Sequence, residues 1–351
     1  MKRQKTSGYI KVLSLSTCII ALYITTQLFT FSSTPTPTID NTPTFKNNYS
    51  IFSLKIPDSI HFANEKVPIE KHWVRESLDR ELLVNTYWQS QTVLFIKRCN
   101  RYFPIIEPIL KEQGIPDDFK YLAVIESGLM PRSISPAGAA GIWQFMKSTA
   151  IEYGLEVNSE VDERYHLEKA TIAACKYFNK SYAKYQNWTL VAASYNAGKA
   201  GISRQLDRQQ ASDYYNLLLG EETGRYVYRI IALKEILSTP DKYGFYVDEE
   251  DLYAHLKTGA VSVDSSIHNI ASFAKKYDIS YKELKDLNPW LRDNKLTNSR
   301  KKTYKIDLPV SALNTQKIPS KPIRPESIPT PIIDESQISI KTQGMSIQNK
   351  N

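Results

Sequence analysis

Residues 115–127 read IPDDFKYLAVIES, and GLMPRSISPAGAAGIWQFM follows at 128–146. Pro116 suits the first turn of a helix, where a missing amide hydrogen costs nothing. Asp117 and Asp118 place negative charge at the positive end of that helix's dipole. Phe119, Leu122 and Ile125 recur at three-residue spacing and form the expected buried stripe. Gly128 and Pro131 stop the helix just after Glu126. At that end the dipole opposes a carboxylate, and Leu122, Ile125 and Leu129 strip it of water. Both effects push its pKa upward. A carboxyl so raised holds its proton near neutral pH, as a general acid must. Glutamates near helix ends are common and mostly solvated, so the surrounding residues have to decide its role.

Ser135-Pro136-Ala137-Gly138-Ala139-Ala140-Gly141 carries almost no side-chain bulk, so backbone there can approach a polymer closely, and Ser135 adds a hydroxyl. Trp143, Gln144, Phe145 and Met146 follow, and aromatic faces with an amide donor suit a sugar ring. Trp143 and Phe145 read equally well as core residues of a short amphipathic helix spanning GIWQFMKSTAIEYG and closed by Gly154.

Outward from this stretch the pattern stays helical. Residues 71–113 repeat apolar side chains at three and four, as one or two amphipathic helices ended by Gly114. HLEKATIAACKYFNKSYAKYQ, WTLVAASYNAG ending at Gly198, and GRYVYRIIALKEIL running towards Pro240 are further helices. Alternation of period two is absent, so residues 63–240 read as an all-α domain and the chain as mainly α. After a linker at 241–260, a module at 261–309 holds two short helices in IHNIASFAKKYDISYKELKDLNPW and a closing strand in TYKIDLP. Residues 310–351 are rich in Pro, Ser and Gln and are expected to be a disordered tail.

Four separated blocks carry a specific resemblance. They are Glu126-Ser127; Ser135-x-x-Gly138-Ala139-x-Gly141-x-x-Gln144-Phe145-Met146-x-x-Thr149-Ala150; Ala193-x-Tyr195-Asn196-Ala197-Gly198; and Glu222-Thr223-x-x-Tyr226-Val227. In this order they resemble the soluble lytic transglycosylase (SLT) family over residues 101–237, most like its membrane-bound lytic murein transglycosylase D group. Lys147 departs from the pattern, where a proline is usual. The module at 261–309 resembles a LysM glycan-binding module through Ile270-Ala271 to Leu287-Asn288 and Ile306 to Pro309. Its usual Gly-Asp-Thr-Leu opening is replaced by Val263-Asp264-Ser265-Ser266-Ile267, which marks it as degenerate.

The resemblance implies a lysozyme-like all-α domain that cuts the β-1,4 bond between MurNAc and GlcNAc in peptidoglycan, leaving 1,6-anhydro-MurNAc. Glu126 is then the single acid and base, with no second acid beside it. Ser135 orients the reacting sugar, Gln144 and Met146 line the cleft, and Tyr195 and Asn196 close its other side. The Tyr195 hydroxyl is expected to reach Glu126 or substrate, and Asn196 to serve also as a helix cap. Glu222 and Tyr226 complete the set, Glu222 doubling as a dipole partner. A muramidase hydrolysing the same bond, and a wall-binding scaffold without catalysis, remain as alternatives.

The chain has 351 residues, 42% hydrophobic and 23% charged, enough for one to two folded domains. Its net charge of +8 is partly terminal and suits any polyanion: nucleic acid, an anionic membrane or a carboxylate-rich wall polymer. No recognition-helix motif or aromatic-studded basic sheet argues for nucleic acid. Residues 12–31, VLSLSTCIIALYITTQLFTF, follow a basic start and precede a Ser/Thr/Pro-rich stretch. Residues 1–31 thus read as a signal peptide or membrane anchor and 32–62 as a linker, placing the protein in the cell envelope on the periplasmic side. The expected partner is the peptidoglycan strand, with the chain acting as a monomer. The five histidines do not cluster, and neither a C-x-x-C nor an H-E-x-x-H motif occurs, so no metal or cofactor is expected. Cys99 and Cys175, far apart in helical patterns, read as buried free thiols, with pairing in an oxidising compartment as the alternative. P-loop, dinucleotide-binding and nucleophile-elbow motifs are absent too.

Overall fold

The computed structural model describes residues 51–315. The expectations for the N-terminal export segment, for most of the linker after it, and for the tail beyond 315 lie outside the described residues. Ile51, Phe52 and Ser53 are exposed and belong to a first unit, and the described residues from Leu54 onward belong to a second.

The second unit opens with a hairpin of β1 (His61–Phe62) and β2 (Glu65–Lys66), turned by Ala63 and Asn64, both at positive φ. Two-residue strands are too short to show alternation, which is why the sequence reads as purely helical here. The hairpin has a precise job in packing. Glu65 accepts the amides of Trp188 and Thr189 at 2.5 and 2.9 Å, and so satisfies a helix start that Asn187 also caps at 2.8 Å.

Helices α1 (His72–Tyr87) and α2 (Gln89–Glu112) are separated at Trp88, whose backbone leaves helical geometry. A 3-10 turn at Asp117–Phe119 leads into α3 (Lys120–Ser127). Then come α4 (Lys147–Glu152), α5 (Leu167–Tyr185), α6 (Trp188–Ala197), α7 (Lys199–Gln209) and α8 (Glu221–Ser238). Helix α8 packs along α1 and against α3 and α6, while α5 packs between α2 and α6. The buried side of α5 carries Ala170, Ala173, Ala174, Tyr177, Phe178 and Ser181, the three-four spacing that lets neighbouring backbones come close. Phe178 anchors an aromatic cluster with Phe119, Trp143 and Tyr195, ring centroids 4.7, 5.8 and 5.2 Å away. Phe119 and Leu122 of the expected stripe are fully buried and Ile125 is half-buried. Helix α7 had no sequence expectation attached to it.

The C-terminal module pairs β3 (Thr258–Val263) antiparallel with β4 (Tyr304–Pro309), with Val261 opposite Ile306. Helices α9 (Ile270–Lys276) and α10 (Tyr281–Leu287) lie between them in the chain. Tyr304, Ile306 and Leu308 point inward from β4 and meet Ile270, Ala274, Leu284, Trp290 and Leu291. A further helix, α11 (Val310–Thr315), corrects the expectation of a structureless tail starting at 310: Ala312 is buried there against the module's core. The module's apolar cluster extends into the helical domain through Ala140, Val161 and Tyr165. Cys99 and Cys175 are free, and burial pushes both thiols up, that of Cys175 to about 12. No helix among the described residues is long and apolar enough to cross a membrane.

Candidate active site

Helix α3 ends on two consecutive left-handed residues, Gly128 at φ 60° and the fully buried Leu129 at φ 55°. The Gly128 amide closes the helix onto Val124 O at 2.8 Å. The chain therefore turns away at once and leaves Glu126 half-buried in the last turn. Desolvation pushes the Glu126 carboxyl up to about 7. A hydrogen bond from Tyr226 and the charge of Arg229 oppose that rise, and the charge of Glu222 adds to it. The Tyr226 hydroxyl donates to Glu126 Oε1 at 2.5 Å. Glu222, Tyr226 and Arg229 stand at positions i, i+4 and i+7 of α8, so one helix face supplies all three influences.

Tyr226, then, is the tyrosine bonded to Glu126, and of the two contacts expected for the Tyr195 hydroxyl, Glu126 or substrate, the first is not made. The Tyr195 hydroxyl donates instead to Trp143 O at 2.7 Å, and its ring packs against Phe145 with centroids 6.0 Å apart. Burial, then the field of Glu126, holds the Tyr195 phenol well above its usual pKa, so it stays a donor. It links the turn at 141–145 to the neighbourhood of the acid. Asn196 is likewise not a cap of its own helix. Its Oδ1 accepts from Thr223 Oγ1 at 2.8 Å and its Nδ2 donates to Glu222 Oε1 at 3.2 Å, tying the end of α6 to the first turn of α8. Glu222 is exposed in that first turn.

Residues 134–145 form a compact double turn rather than a helix start. Ala140 and Phe145 exchange both backbone bonds at 3.1 Å, and Ile134 bridges to Ala140. Ser135 closes the tighter loop: its Oγ accepts from Ala139 N at 3.0 Å, which leaves the hydroxyl proton to donate elsewhere. Gln144, at φ 49°, folds its amide back onto Gly141 O at 2.7 Å and Ser133 O at 3.3 Å. Trp143 and Phe145 are buried in the core, Trp143 donating to Thr171 Oγ1 at 2.8 Å, which decides between their two sequence readings. Met146 is 44% exposed at the start of α4 and available to a ligand.

An open cleft of about 540 Å³ lies between α1 and α8, lined by Glu81, Val84, Asn85, Trp88, Glu221, Glu222, Arg225 and Arg229. Trp88, at the break between α1 and α2, is 57% exposed and offers an aromatic face there. Sequence reasoning passed over Trp88 and Arg229. Arg229 follows Tyr226 by three positions, and helical spacing alone was the signal that could have found it. No group of three or more His, Cys, Asp or Glu among the described residues is placed to hold a metal.

Residues 103–218 match the family described as the transglycosylase SLT domain, and residues 259–312 match the soluble lytic transglycosylase C-terminal LysM-like domain. Glu222 and Tyr226 lie just beyond the first match. The membrane-bound lytic murein transglycosylase D of Escherichia coli strain K12 is 28% identical over 232 residues, 65% of this chain and 50% of that protein. The same holds for its counterpart in Escherichia coli O6:H1. The chain thus spans about half the length of the curated relatives it matches. Among solved structures, lytic transglycosylase Slt of Pseudomonas aeruginosa is 21% identical, with a TM-score of 0.34 over 44% of this chain and 26% of that one. The 70 kDa soluble lytic transglycosylase of Escherichia coli is 21% identical, with a TM-score of 0.35 over 40% and 24%. A transglycosylase SLT domain therefore precedes a soluble lytic transglycosylase C-terminal LysM-like domain in this chain, which is homologous to membrane-bound lytic murein transglycosylase D.

Proposed function

We propose that the protein is a peptidoglycan lytic transglycosylase of the cell envelope, with Glu126 as its acid and base. The observation that carries this reading is a half-buried carboxyl raised to about 7 and bonded by Tyr226, which stands on α8 between Glu222 and Arg229 of the open cleft. Protonated Glu126 gives its proton to the glycosidic oxygen between MurNAc and GlcNAc as the C1–O bond breaks. The 2-acetamido group of MurNAc supports the cation that develops. The Glu126 carboxylate then takes the proton of the same sugar's 6-hydroxyl, whose oxygen closes on C1. The product is a 1,6-anhydro sugar, no water is consumed, and Glu126 regains its proton. Ser135 and Met146 contact the strand, and Gln144, Tyr195, Asn196 and Glu222 hold the walls of the site. The N-terminal apolar segment supports anchoring of the chain to a membrane on the periplasmic side.

A second reading, hydrolysis of the same bond, draws on one observation: the charge of Glu222 reaches Glu126, and glycosidases that use water need a second carboxylate. Against it, Glu222 is bonded to Asn196 on the neighbouring helix. Mass spectrometry of digested peptidoglycan separates the two. Muropeptides lighter by one water than hydrolysis products are expected from the parent protein and from Glu222→Gln, and none from Glu126→Gln. Reducing MurNAc ends alone would overturn the transglycosylase reading.

A further inference from the structure

The C-terminal module and the turn beside the acid are joined by one short route through Arg164. Arg164 and Asp162 are both buried, and they pair in a two-pronged fork, Nε to Oδ1 at 3.0 Å and Nη2 to Oδ2 at 2.7 Å. The remaining nitrogen, Nη1, donates to Gly138 O at 2.8 Å and Phe145 O at 3.1 Å, two points of the turn that carries Ser135 and Gln144. A third point rests on the same residue's backbone: a Cβ added to Gly141 would stand 1.8 Å from Arg164 O. On the other side, Asp162 N donates to Trp290 O at 2.9 Å, Val161 bridges to Leu291, and Arg292 N donates to Glu160 O at 2.7 Å. The Glu160 carboxylate adds bonds from Thr297 N and Oγ1 at 2.5 and 3.0 Å. Ala140, in the turn itself, is buried in the module's apolar cluster.

The geometry points to the LysM-like module as a brace on the active-site turn, with Arg164 as the positioning residue that transmits its docking. A guanidinium can hold a carboxylate with two edges and two carbonyls with a third; an ammonium on a flexible stem cannot span them at once. The Trp143 carbonyl of this turn accepts from Tyr195, whose buried phenol also feels the charge of Glu126. Its placement therefore sets where Ser135 and Met146 meet the strand relative to the acid, an orientation effect that acts on turnover more than on affinity.

The proposal rests on the reading of Glu126 above, and its test has one arm that does not. In the full chain, Arg164→Lys is expected to lower kcat about 10- to 100-fold, the scale of a small misplacement, with KM changed less than about threefold. Amide exchange, which needs no catalysis, is expected to quicken at Ala139, Ala140 and Phe145 in Arg164→Lys and in Glu160→Ala, and to stay unchanged in α5. Parental kcat and parental exchange in a folded Arg164→Lys protein would overturn the positioning role. Should that variant fail to fold, Glu160→Ala decides alone: unchanged exchange at the turn would overturn the brace. Products with only reducing ends would remove the transglycosylase reading and leave the exchange result standing.

Discussion

Tyr226 reaches Glu126 from a different helix, its hydroxyl 2.5 Å from Oε1, and it stabilises the charged form of an acid that burial is driving towards the neutral one. The two influences leave the carboxyl at about 7, where a proton can be given and taken back within one turnover.

Removing the donor should raise that value further. In Tyr226→Phe the carboxylate loses a charge-assisted bond, so the alkaline limb of the cleavage-rate profile is expected to move up by about one unit. Rate against pH over 5 to 9, at saturating substrate, checks the direction; a downward shift would contradict the assignment of Tyr226.

The raised Glu126 also makes stability depend on pH. Its folded value of about 7 exceeds the ordinary 4.5, so the folded protein binds more proton than the unfolded one between those limits. Stability is then lost as pH rises through that window. Glu126→Gln lacks the titration. The melting temperature of the variant relative to the parent is expected to climb from pH 4.5 to 7 and level off above; a flat difference would show that burial does not raise the group.

At the α1–α8 contact, Glu81 is fully buried and held by Arg225 Nε at 2.8 Å, with Arg80 Nε at 3.1 Å. Arg225→Ala leaves a buried carboxylate short of its main partner. A loss of about 2–4 kcal/mol in denaturant unfolding is expected, partly recovered by adding Glu81→Gln.

Much of this was legible in the chain. Three-four periodicity found the helices around α3 and α5, and Glu126 could be singled out because the helix end marked by Gly128 and Pro131 is followed by the blocks at 135–150, 193–198 and 222–227. What escaped had physical reasons. GIWQFM looks helical by composition, yet Gln144 sits at positive φ and the segment turns, a backbone choice imposed by Tyr195 and Arg164 rather than by local propensity. Tyr195 and Tyr226 both lie in family blocks, and only packing decides which hydroxyl faces Glu126. The hairpin at Ala63 and Asn64 was missed because its strands are two residues long. Arg164 carried no motif at all, since its role depends on two carbonyls and one carboxylate brought together in space.

The docking of the C-terminal module also has a meaning in time. Strand β4, which closes the module, lies far downstream of Glu126, so a chain emerging from the ribosome presents the acid well before it can present Trp290 and Leu291 to Asp162 and Val161. On the proposed reading of Glu126, a site assembled in that order is incomplete while the chain is being made, and it reaches working geometry only when nearly the whole described chain has been synthesised.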